Sequence, residues 1–129
     1  MTCPTLQINL PDVLAEVAAV CAQYEKALVE NDVAVLDALF WDAETTIRYG
    51  ATENLYGYDA IKAFRAGRPG TGLSRSVIRH EIVTYGRDTA TSCLEFSREG
   101  VASIGRQTQT WVRTDVGWRV VAAHVSQMR

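Results

Sequence analysis

The sequence predicts an α+β fold, with helices gathered in the first half of the chain and strands in the second. Two observations carry this reading. Leu14, Val17, Cys21, Tyr24 and Leu28 recur at helical spacing and form one apolar stripe. From Ser76 onward, four β-rich runs follow one another, separated by short turn-forming stretches. Helices followed by runs of strands, without strict alternation, point to α+β and away from a parallel α/β sheet.

The elements follow in order. Residues 1–9 read as a short tail, and Pro11 suits the first turn of a helix, where its missing N–H costs nothing. Asn31-Asp32 stops that helix and can cap a second, Val33 to Phe40. Thr45 to Tyr49 reads as a short strand, Gly50 to Gly57 as a loop, and Tyr58 to Ala66 as a third helix ended by Gly67, Pro69, Gly70 and Gly72. Ser76–Tyr85, Thr89–Arg98, Ser103–Thr114 and Trp118–Ser126 read as strands of an antiparallel meander, joined at Gly86-Arg87-Asp88, Glu99-Gly100 and Asp115-Val116-Gly117. Residues 1–129 are expected to form a single domain. A sheet curved around the first helix would enclose a cavity.

Composition narrows the function classes. The chain has 129 residues, 47% of them apolar and 22% charged, with a formal net charge of −2. These values fit a globular domain with a core. The absence of a basic run argues against nucleic acid as a partner. No apolar run reaches the roughly 20 residues of a membrane span, so no membrane association is expected. Cys3, Cys21 and Cys93 are odd in number and show no C-x-x-C spacing, which predicts reduced thiols and a cytoplasmic protein.

Polar residues on apolar faces mark the candidate site. Tyr24 lies in the stripe of the first helix, either as a core tyrosine or as a proton donor in a cavity. Arg48 shares a strand face with Thr46, opposite Ile47 and Tyr49, and in a covered sheet it needs an anion, internal or bound. The last strand places Trp118, Val120, Ala122, His124 and Ser126 on one face, with room beside the imidazole for a ligand. Arg106, Thr108 and Thr110 share one face of the preceding strand; Gln107, Gln109 and Trp111 share the other. Either face could line a cavity. Arg65 and Arg68 read as solvated cations or as ligand contacts; Trp41 and Asn54 sit near the same loops. No metal-ligand cluster, phosphate loop or Ser/His/Asp triad is readable. A cofactor-free site using Tyr, Arg and His is what remains.

Several strings resemble the AtzH-like family, which includes the HpxZ proteins and belongs to the NTF2-like (SnoaL-like) superfamily. They are Tyr24-Glu25-Lys26-Ala27-Leu28, Thr46-Ile47-Arg48-Tyr49-Gly50, Glu53-Asn54-Leu55-Tyr56-Gly57, Ile61-Lys62-Ala63-Phe64-Arg65 and the stretch Gly117 to Ser126. The resemblance runs from about Leu6 to Ser126. It implies a cone of order ααβαββββ, its curved antiparallel sheet wrapped on the N-terminal helix. It also implies a place beside amidase-signature enzymes in the catabolism of cyanuric acid (s-triazine degradation) or related ureides. The implied reaction is a lyase reaction, the cofactor-free decarboxylation of 1,3-dicarboxyurea to allophanate. The family's catalytic Tyr and Arg fall on Tyr24 and Arg48, with substrate contacts expected from Trp41, Asn54, Arg65, Arg106, His124 and Ser126. The partners expected are a small anionic substrate and a second copy in a homodimer. A non-catalytic acid-binding or assembly module is the alternative. An isomerase of the ketosteroid type ranks last, because no Asp or Glu has an apolar setting by pattern.

Overall fold

The computed structural model describes residues 5–128. Nine elements run α1 (Pro11–Glu30), α2 (Val33–Leu39), β1 (Ile47–Tyr49), β2 (Asn54–Tyr56), α3 (Tyr58–Gly67), β3 (Ser76–Tyr85), β4 (Thr89–Ser97), β5 (Gly105–Thr114) and β6 (Gly117–Gln127). Pro11 opens α1 in its first turn, as its fixed φ allows. The helix ends at Asn31 in the left-handed region, whose N–H and that of Asp32 reach back to the carbonyls of Leu28 and Ala27. The Asp32 carboxylate then accepts from the Val35 N–H and caps α2.

The six strands form one mixed sheet in the order β2-β1-β6-β5-β4-β3. This corrects three expectations. The loop 50–57 contains β2, a short edge strand antiparallel to β1. Next, β1 lies parallel to β6, so the sheet is not wholly antiparallel. A bridge from Phe40 to Val120 and the bond from the Trp41 N–H to the Val120 carbonyl bring the chain alongside β6 in that direction. Finally, residues 7–9 are tied down. Ile8 bridges to Tyr85, the Gly86 N–H donates to the Gln7 carbonyl, and Asn9 exchanges bonds with the Thr84 backbone. The open edge of β3 supplies those backbone partners.

The apolar stripe of α1 covers the inner face of the sheet. Val13, Val17, Cys21, Tyr24, Ala27 and Leu28 are buried against Ala90, Trp111, Trp118, Val120 and Ala123, with Leu36, Leu39, Phe40 and Ile61 closing the core. Alternation along β5 sends Gly105, Gln107, Gln109 and Trp111 inward and Arg106 and Thr108 outward. Along β6 the alternation breaks. Trp111 pairs with Val120 and Thr110 with Ala122, leaving Val121 as the extra residue of a bulge. Trp118 and Val120 point inward before it and Ala123 after it.

Gly105 shapes the interior directly. It pairs with Phe96 on β4, and a methyl group at 105 would lie 2.2 Å from the Phe96 ring. The ring therefore lies across the glycine. Gly105→Ala is expected to destabilise the fold by about 1–3 kcal/mol, the usual cost of overpacking a filled site. Gly67→Ala, where nothing stands within 4 Å, is expected to be neutral or stabilising. Urea unfolding of both variants checks the contrast.

Candidate arginine site

The interior between α1, α3 and the sheet collects an unusual number of cations. Arg48 reaches it from β1. Its register partner on β6 is the small Ala123, and Ala123 in turn faces Gln109 on β5. Across two strand spacings, Arg48 and Gln109 thus flank a shallow floor roughly 10 Å wide. Tyr24 comes down from α1 into the core, with only 5% of its surface exposed. Its ring lies 6.2 Å from Phe40 and meets Trp111 edge-on at 6.4 Å. Packing on two aromatic rings fixes the phenol's direction.

Three of the cations carry their own carboxylate. Arg48 donates to Glu53 at 3.0 Å and lies over the Phe64 ring. Arg65, 3% exposed, donates to Asp37 at 2.8 Å and stacks on Phe40 at 4.9 Å. Arg75 forms a two-pronged pair with Glu25 at 2.8 and 2.7 Å and also donates to Gln107. Buried guanidiniums are stable in such company because fork-shaped hydrogen bonding offsets part of their desolvation.

Two cations have no such partner among the described residues. Arg68, just past α3, buries its Nε and Nη2 with nothing to donate to. Burial first, and then the charge of Arg65, pull its proton affinity down; Arg48 and Arg98 add to this, and the Tyr24 phenol opposes it. Arg65, Tyr24, Arg48 and Arg98 each lie within electrostatic reach of Arg68. Arg98, just past β4, buries its Nε without a partner and stacks on Phe96 at 4.8 Å. Gln109 Nε2 is a further buried donor with no acceptor, its Oε1 being taken by the Trp111 indole. Such donors can be satisfied by an anion.

Glu53 is held where it is by the geometry of its hairpin. Its carboxylate accepts from the Thr52 N–H and hydroxyl as well as from Arg48. Burial alone would raise its pKa, but the bonds from Thr52 and Arg48 hold it below the usual carboxylate range. Gly50 makes this fold possible, since a Cβ there would stand 1.7 Å from the Glu53 oxygen.

The other residues expected at the site are not all brought to it. Tyr24, Arg48 and Arg65 are among the groups whose charges act on Arg68. His124 and Ser126 lie elsewhere, because the bulge at Val121 turns Ala122 and His124 to the outer face, where His124 meets Tyr49 edge-on at 5.8 Å. Arg106 pairs with Ser126 and shares that outer face. Asn54 is exposed on the edge strand β2. Trp41 lines a separate surface hollow with Asp42, Tyr58 and Arg119. A larger surface cleft of about 520 Å³ is lined by Asp42, Glu44 and Asp59, charges of the wrong sign for an anion. Among the described residues, no group of three or more His, Cys, Asp and Glu side chains gathers.

Sequence reasoning missed Arg98, Gln109 as a site residue, and a polar pair near Cys21. Alternation was the available signal for Arg98, since Leu94 and Phe96 point inward and residue 98 continues the series. His80 Nε2 lies 2.7 Å from Ser92 Oγ on the inner face. Burial pushes the neighbouring Cys21 thiol up to about 11, against a bond from Ser92.

An α+β fold with a mixed six-stranded sheet and short helices defines an NTF2-like, cystatin-like domain. A profile of the AtzH-like family matches residues 6–129, and the chain belongs to that family. A solved structure from Pectobacterium atrosepticum, described as a protein of unknown function from the DUF3225 family, is 57% identical, covers 95% of each chain and superposes with a TM-score of 0.93. A cystatin-like fold protein from Burkholderia xenovorans is 42% identical over 96% of this chain and 98% of its own, with a TM-score of 0.92. An NTF2-like superfamily protein from Salmonella enterica, 21% identical over 92% of each chain with a TM-score of 0.73, shares the fold. No curated protein matches. No helix among the described residues is long and apolar enough to cross a membrane.

His80 gives this interior an acid sensitivity. Burial holds its pKa below the ordinary 6.5, with Glu25 opposing. The unfolded chain takes a proton as pH falls past 6.5, whereas the folded chain resists it. Stability is therefore full above that value and declines as pH drops from there toward the folded pKa. His80→Gln, which cannot titrate, is expected to lose less stability than the wild type between about pH 7.5 and 5.5. Denaturant melts at the two pH values measure the difference.

Proposed function

We propose that this protein binds a small N-carboxylated urea in its arginine site and releases one carboxylate as CO2, with 1,3-dicarboxyurea giving allophanate. One observation carries the reading: Arg68 buries unpaired donors within electrostatic reach of Tyr24. Burying unpaired guanidinium costs several kcal/mol, and a carboxylate removes much of that cost. Membership of the AtzH-like family agrees with the substrate class.

The chemistry needs little apparatus. As the N–CO2 bond breaks, its electron pair stays on nitrogen, and a proton must arrive there. Tyr24 delivers it, directly or through one water, and recovers it from solvent. Arg68 holds the departing carboxylate in line. The ion pair between Arg48 and Glu53 changes the simplest version of this scheme, in which Arg48 is the free anion receptor. In our reading the substrate's carboxylate takes Glu53's place on Arg48.

That same ion pair favours a second reading, a binding module without turnover, since an arginine already neutralised has less need of a substrate. CO2 release by purified protein at catalytic amounts, against one-to-one binding alone, separates the two. Tyr24→Phe is expected to slow release by about 10²-fold or more with little change in KM. Arg68→Met is expected to raise KM by about tenfold or more. Full activity in a folded Tyr24→Phe variant would remove the phenol from the mechanism. Glu53→Gln frees Arg48 of its competitor, so substrate affinity should rise several-fold; a fall would mean that Glu53 instead positions the arginine.

A further inference from the structure

Gln109 is a buried amide on the inner face of β5, 2% exposed, and one end of it is idle. The Trp111 indole lies two residues along the same strand, fully buried, and its Nε1–H donates to Gln109 Oε1 at 3.1 Å. An indole nitrogen is a donor only, so this contact fixes which end of the amide is oxygen. The Nε2 end is thereby turned away from the indole, where it has no acceptor among the described residues. A buried N–H left unpaired is costly, and a ligand oxygen would remove that cost.

The neighbours on the sheet leave this donor free. Register sets Ser92, Gln109, Ala123 and Arg48 in one row across β4, β5, β6 and β1. On one side, Ser92 turns its hydroxyl to His80 Nε2 at 2.7 Å. On the other side, Ala123 presents only a methyl group, and beyond it stands Arg48, roughly 10 Å from Gln109 at two strand spacings. Gln109 and Arg48 thus bracket one small residue. Trp111 also meets Tyr24 edge-on at 6.4 Å. The phenol and the amide are therefore both set by contact with the same indole.

A primary amide is a neutral donor. It cannot neutralise a carboxylate, but it matches a neutral carbonyl oxygen. We propose that Gln109 is a specificity-determining residue of the site, donating its Nε2–H to the carbonyl oxygen of a ureido acid whose carboxylate lies on Arg48. The proposal rests on the reading that a carboxylated urea enters this interior and takes Glu53's place on Arg48, but not on loss of CO2. The indole of Trp111 keeps the amide from turning over, so the donor stays directed at the ligand.

Calorimetric titration with N-carbamoylglycine and 4-methylpentanoate tests this. The two share a branched skeleton and a carboxylate, and only the first carries a urea carbonyl. Gln109→Met is expected to weaken N-carbamoylglycine by about tenfold and to leave 4-methylpentanoate within about twofold. Where Gln109→Met does not fold, as judged by circular dichroism, the double variant with Trp111→Phe carries the same comparison, because it leaves no indole N–H unpaired. An unchanged ratio of the two affinities, or equal weakening of both probes, overturns the proposal. The two readings fail separately. Binding of neither probe by the wild type removes the anion site and the proposal with it. A loss confined to N-carbamoylglycine, without CO2 release from 1,3-dicarboxyurea, removes the decarboxylation and leaves Gln109 its role; CO2 release with an unchanged ratio does the reverse.

Discussion

The structure depends on a charge imbalance held inside an otherwise ordinary core. Guanidinium groups enter the space under α1 from β1, α3, the start of β3 and the end of β4. Three are neutralised by Glu53, Asp37 and Glu25. Like charges at such range repel strongly where water is scarce. The fold tolerates them because each pair is hydrogen-bonded with good geometry and because aromatic faces at Phe40, Phe64 and Phe96 take up the flat surfaces of the cations. Arg68 and Arg98 keep buried donors without an acceptor among the described residues.

Several local features serve that arrangement. The Asp37–Arg65 pair joins α2 to α3, and the Tyr58 hydroxyl donates to the Asp37 carbonyl beside it. The position of Arg65 thus follows from two helices packing together. Arg75 and Glu25 tie the start of β3 to α1 in the same way. The hairpin at Gly50 places Glu53 against Arg48, and Gly105 gives Phe96 the room to lie flat. Each small residue admits a specific charged or aromatic group, so the glycines here relate to the site as much as to turns.

The sheet separates two chemistries. Its inner face carries Tyr24's aromatic neighbours, Gln107, Gln109 and the arginines. Its outer face carries Tyr49, His124, Thr108 and Arg106. The division is drawn by alternation along β5 and by the single extra residue at Val121 in β6. Without the bulge, His124 would stand beside Ala123's neighbours on the inside, and the interior would gain a titratable group. With it, the inner wall at that height is the methyl group of Ala123, which leaves space next to Arg48.

By itself, the sequence determined the order of the elements apart from β2, the approximate helix boundaries, the inward direction of Tyr24, and the placing of Arg48 on the strand face opposite Ile47 and Tyr49. These follow from short-range periodicity: an apolar stripe at helical spacing, the Asn31-Asp32 stop, and a strand whose charged residue lies opposite two apolar ones. Family strings added the fold. The tertiary structure decided everything that depends on pairing across the chain. Parallel docking of β1 on β6, the bulge that expelled His124 and Ser126, and the choice of inner face on β5 are register effects, invisible where each strand is read alone. Which arginines keep a carboxylate and which do not is likewise a long-range matter. Arg65 meets Asp37 and Arg75 meets Glu25 across 28 and 50 residues of chain, whereas Arg68 and Arg98 meet no carboxylate among the described residues, and no local pattern distinguishes a paired guanidinium from an unpaired one.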